Sequence, residues 1–107
     1  MSEDPLMETI LEMTAASFER ANLSTEAVML VRLAALVAVD APVASFRANL
    51  KAGAEASLTL EDARAVLVAV APIVGGPRVV SAAGRIARAL DFAALNMELP
   101  DDEDDED

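Results

Sequence analysis

The stretch Ser24-Thr25-Glu26-Ala27-Val28-Met29-Leu30-Val31-Arg32-Leu33-Ala34-Ala35-Leu36-Val37-Ala38-Val39 decides the fold. Ser24 with Glu26 in the following turn is a helix start, because a serine side chain accepts from a free backbone donor and an acid suits the positive end of the helix. From Ala27 to Val39 the segment is apolar almost all round, which predicts a buried helix surrounded by others. Arg32 interrupts the run. The run is also shorter than the roughly 20 residues a membrane span requires.

Working outward, the same start and stop signals recur. Asp4 followed by Pro5 opens a first helix, with Leu6, Ile10, Leu11 and Met13 at helical spacing and Phe18 further along. Asn22 ends it in the left-handed conformation near Ala21. Asp40 and Pro42 are expected to open a third helix that Gly53 closes. After the loop 54–58, Thr59 with Asp62 three residues on approximates a capping box and starts a fourth helix, to about Val74, with Pro72 in its last turn. Gly75-Gly76-Pro77 is a stop-and-restart signal, so a fifth helix runs from Pro77 to about Leu95. The expected architecture is all-α: a compact bundle of about five helices in one domain over residues 1–99.

Composition supports close packing of small side chains, since the chain is 54% hydrophobic but only 3% aromatic. With 107 residues there is more small apolar surface than one core can hide, which predicts a homo-oligomer. The formal charge of -11 is concentrated in one place. Seven of the 19 acids form the run Asp101–Asp107, leaving 12 against eight bases, and residues 100–107 are expected to be a disordered, self-repelling acidic tail. Such a tail aids solubility or attracts a basic protein partner. This balance speaks against nucleic acid and against anionic membranes, which need clustered Lys and Arg. An acidic start with no export signal, together with the lack of thiols, points to the cytoplasm.

The chain has neither Cys nor His. Thiolate nucleophiles, disulfides and Cys-bound metals are therefore excluded, along with the commonest general base. No metal or cofactor is expected, and any catalysis must use Asp, Glu, Lys, Arg, Ser or Thr.

Four landmarks in order carry a resemblance to a known family. They are Leu23-Ser24 opening an Ala/Leu-rich helix, then Phe46-Arg47-Ala48-Asn49-Leu50-Lys51-Ala52-Gly53, then Leu58-Thr59-Leu60-Glu61-Asp62, and finally Gly75-Gly76-Pro77 leading into an Ala-rich helix. From Leu23 to Leu90 the chain resembles the carboxymuconolactone decarboxylase and alkylhydroperoxidase-D-like family. The resemblance implies an all-helical fold assembled as trimers or hexamers. It also shows what is missing. Ala38 to Ala41 stand where the peroxidase-like branch carries a Cys-x-x-Cys pair. Ser45 stands where the decarboxylase-like branch carries His, and Ala65 replaces an acid. The resemblance thus implies a catalytically degenerate member.

Six residues are candidates for a surviving pocket. Ser45 and Asn49 are four apart on one helical face, where they either close off a buried helix or contact a ligand. Arg32 and Arg47 either pair with acids, with Asp40 and Glu26 as partners for Arg32, or hold a small carboxylate ligand. Glu26 and Glu61 are the acids placed to move a proton if a divergent, cofactor-free lactone decarboxylase or isomerase survives. Arg78, Arg85 and Arg88 form a basic stripe whose expected partners are Glu61, Asp62 or the tail. Three functions remain open: a non-catalytic oligomeric binding module, that divergent enzyme, or a structural protein working through its acidic tail.

Overall fold

Five helices follow one another in the computed structural model, which describes residues 4–95: α1 (Pro5–Arg20), α2 (Thr25–Ala38), α3 (Val43–Glu55), α4 (Leu60–Val74) and α5 (Gly76–Leu95). No strand occurs among the described residues. The all-helical reading holds, and for four of the five helices both ends fall within a residue or so of those expected. The acidic run 100–107 and the domain end at Leu99 lie outside the described residues.

The start signals work as their chemistry dictates. Asp4 Oδ1 accepts from Leu6 N at 3.0 Å, and Ser24 Oγ accepts from Ala27 N at 3.0 Å. Thr59 and Asp62 form a full capping box: Asp62 N donates to Thr59 Oγ1 at 3.2 Å and Thr59 N donates to Asp62 Oδ2 at 2.9 Å. Pro72 is accommodated within α4, which continues two residues beyond it to Val74 before Gly75 turns away at φ 91°.

Two boundaries differ from expectation, and for one reason. Asp40 does not cap α3. It ends α2 instead, at φ 58°, with Asp40 N donating to Val37 O and Ala41 N donating to Leu36 O. Those two bonds are the paired closure that satisfies the last carbonyls of a helix. Pro42 then takes the cap position of α3 with no side-chain bond. Gly53 likewise does not end α3, which runs on to Glu55. Ser57 takes the left-handed place at φ 75°, with Ser57 N donating to Ala54 O and Leu58 N to Gly53 O. Gly53 instead lies against Leu58: a Cβ there would meet Leu58 Cδ1 at 3.4 Å, an ordinary van der Waals contact.

Helices α2 to α5 form the body, with α2 against α3 and α4, and α5 against the same two from the other side. The core at their centre is Leu33, Val37, Ala41, Phe46, Ala63, Val66, Ala82, Ile86 and Ala89. Alanine supplies four of these nine, so helices approach closely around the one large ring, Phe46, which is fully buried with Val37. No polar or charged side chain is buried among the described residues. Helix α1 packs on this body less extensively than the other four helices pack on one another, and buries no residue.

Candidate functional site

An open groove of about 140 Å³ lies where α2, α3, the start of α4 and α5 leave a gap. Met29, Leu30 and Leu33 come from α2; Asn49, Leu50, Gly53 and Ala54 from α3; Leu58, Thr59, Leu60 and Ala63 from the α3–α4 corner; and Leu90 from α5. The corner exists because the left-handed turn at Ser57 swings Leu58 back against Gly53, so two sequence-adjacent features build one wall. Leu60 and Leu90 sit on the rim, 53% and 38% exposed. No charged residue is among the described residues that line the groove.

Of the six candidate residues only Asn49 reaches this groove. Its Nδ2 donates to Met29 O at 3.3 Å, tying α3 to α2 and satisfying the amide across the helix pair. Ser45 and Arg47 are half-buried elsewhere on α3, and neither lines the groove. Glu26 and Glu61 are exposed in the first turns of α2 and α4, where a carboxylate complements the helix dipole.

Arg32 finds partners other than the acids expected of it. Its Nη2 donates to Thr14 O at 3.2 Å and to Ser17 Oγ at 2.9 Å, and its guanidinium carbon lies 5.1 Å from the Phe18 ring centroid. A planar cation with several donors suits such a mixed set, stacking on the ring while it bonds the edge of α1. Arg32 thus fastens α1 to α2.

The basic stripe of α5 also departs from expectation. Arg78 Nη1 donates to Ala38 O at 2.6 Å, and Arg85 Nη1 lies 2.8–2.9 Å from Asp40 O, Asp40 Oδ1 and Ala41 O. Ser81 Oγ adds a bond to Asp40 Oδ1 at 3.1 Å. The partners found for Arg78 and Arg85 are the carbonyl end of α2 and Asp40, and not the expected Glu61 or Asp62; the tail lies outside the described residues. Guanidinium groups at a helix C-terminus satisfy orphan carbonyls and oppose its partial negative charge, so this cluster locks α5 to α2. The signal for it was the left-handed tendency of Asp40, a residue type that tolerates that conformation.

Acid–base chemistry needs a donor and an acceptor converging on one reacting atom. The groove offers one amide and one hydroxyl, Asn49 and Thr59, against a wall of leucines. Among the described residues no group of three or more Asp or Glu is placed to hold a metal ion. No helix among them is long and apolar enough to cross a membrane. Compared with known families, curated proteins and solved structures, the chain matches none of them.

Proposed function

We propose that this chain is a catalytically degenerate relative of the carboxymuconolactone decarboxylase family, working as an oligomeric helical module that binds an apolar ligand or partner surface. The observation that supports this reading is the lining of the groove: among the described residues it is apolar apart from Asn49 and Thr59, and it holds no ionisable side chain. Such a surface gains free energy by excluding water and has nothing with which to move a proton. The missing Cys and His agree with this. A lactone-converting alternative requires Arg32 or Arg47 to face a substrate carboxylate across a cavity, yet neither lines the groove and Arg32 is engaged by α1.

The test is a turnover assay on purified protein with a carboxylated lactone and with an alkyl hydroperoxide. The expected rate is that of buffer. Turnover well above buffer that disappears in Ser45→Ala or Asn49→Ala would reject the reading.

A further inference from the structure

Helix α1 is well capped, yet its C-terminal half is held to its own body through Arg32 while its N-terminal apolar side is left exposed. It is capped by Asp4, opened by Pro5 and sixteen residues long, yet it buries no residue. A helix of this length is marginal in water unless a partner covers its apolar side. Leu6, Met7, Ile10, Leu11 and Met13 are 45–66% exposed. Leu6, Ile10 and Met13 fall at i, i+4 and i+7, one row along one face. Together the five present on the order of 500 Å², in the range of the largest apolar patch a monomer shows, which is often functional.

The same chain holds an apolar groove, and no residue of α1 lines it. Arg32, which fastens α1, is about 100° round the α2 helix from Leu33, a groove residue. The exposed rim residues Leu60 and Leu90 agree. From these two halves we infer that α1 is an intersubunit arm: its Leu6–Ile10–Met13 row seats in the Leu60–Leu90 groove of a second copy of this chain. This rests on the oligomeric binding reading above and names the partner.

Two considerations select a second copy. Reciprocal arm-on-groove contacts, two arms and two small grooves, would cover about 1,200 Å², at the lower edge of stable interfaces, whereas α1 pairing only with α1 would cover about 1,000 Å² and fall short. A membrane surface is a poor match, because the polar side of α1 carries Glu8, Glu12 and Glu19 against Arg20, where anionic lipid selects Lys and Arg.

The experiment is light scattering coupled to size exclusion, with sedimentation velocity, on the full chain and three variants. Wild type is expected to run as an oligomer. Ile10→Asp on the arm and Leu60→Asp on the rim should each weaken association at least tenfold, and an equimolar mixture of the two should recover mixed species, since one copy keeps its arm and the other its groove. Ile73→Asp, on an 85% exposed position of α4, should leave the mass unchanged. Because the chain has no cysteine, Leu11→Cys and Leu60→Cys copies can also be mixed and cross-linked with a short bis-maleimide, which serves even if an Asp variant fails to fold. Cross-linking between the two kinds of copy is expected. Association untouched by both Asp variants, or cross-links only between Leu11→Cys copies, overturns the arm contact while leaving the oligomeric reading standing; a monomeric wild type overturns both.

Discussion

Arg85 on α5 closes the far end of α2 through Asp40: a single guanidinium nitrogen lies 2.8–2.9 Å from the Asp40 carboxylate, the Asp40 carbonyl and the Ala41 carbonyl. Residues 45 apart in sequence are thereby held at the one place where α2 runs out of internal hydrogen-bond partners. With a core made largely of alanine and valine, this polar clasp fixes the relative position of α2 and α5.

Replacing Arg85 with Met removes the charge while keeping most of the stem, and leaves the two carbonyls and the Asp40 carboxylate without it. Charge-assisted bonds contribute about 1.5–3 kcal/mol where buried. This site is partly exposed, at 30% and 43% for the two side chains, so a loss of about 1–2 kcal/mol is expected. Urea unfolding measures it. A midpoint equal to wild type would show the clasp to be ornamental. In a double-mutant cycle with Asp40→Asn, the two losses should fall short of additivity.

Phe46 is fully buried where α3 meets the core, with alanines as several of its neighbours. Small neighbours cannot collapse far into a vacated ring, so Phe46→Ala should cost about 3–5 kcal/mol, near the total stability of a small domain. Far-ultraviolet circular dichroism on heating is the check, and the variant is expected to be largely unfolded at 37 °C.

Gly84 lies in the exposed middle of α5 with nothing within 4 Å of the place a Cβ would occupy. Gly84→Ala should therefore stabilise the chain by about 0.5–1 kcal/mol through the unfolded state alone. That corresponds to a rise in Tm of about 2–8 °C for a domain of this size. A fall in Tm would mean that the face of α5 bearing Gly84 is covered in the assembled protein.

Salt should strengthen self-association. Each copy carries a formal charge of -11 and the proposed contact is apolar, so screening removes repulsion without weakening the attraction. Sedimentation between 50 mM and 500 mM NaCl is the measurement, with an association constant that rises with salt. A constant that falls would point to ion pairing between copies instead.

Hydrogen exchange should separate α1 from the rest. With no buried residue and its tertiary hold limited largely to Arg32, α1 is expected to open with a free energy far below that of α2 and α3 in the dilute protein. Its amides should become protected as concentration rises and the arm contact forms. Arg32→Ala should speed exchange in α1 and leave α3 unchanged.

The helices were legible because their boundaries are written in local chemistry. Asp4-Pro5, Ser24, the Thr59–Asp62 box and Asn22 act within three or four residues, and each behaves as its side chain dictates. Asp40 was misread because an acid shortly before a proline looks like a helix cap, and Gly53 because glycine was weighted as the natural left-handed residue. Here the left-handed places fall to Asp40 and Ser57, and Gly53 lies inside α3 against Leu58. The site was harder to read. Arg32 next to apolar neighbours states that a partner exists, but sequence spacing cannot say that it is Ser17 and not Glu26. The groove was invisible, because its leucines carry the same pattern as core leucines and differ only in what the fold leaves uncovered.

Three consecutive helices stop on Asn22, Asp40 and Ser57, each at positive φ without being glycine. A glycine at such a joint swings among several backbone wells, whereas a residue with a Cβ has very few on that side of the map. The corners of this molecule are consequently stiff. A scaffold with so few large side chains at its centre takes part of its rigidity from its bends, and the angles at which successive helices leave one another are prescribed there before any interior contact forms.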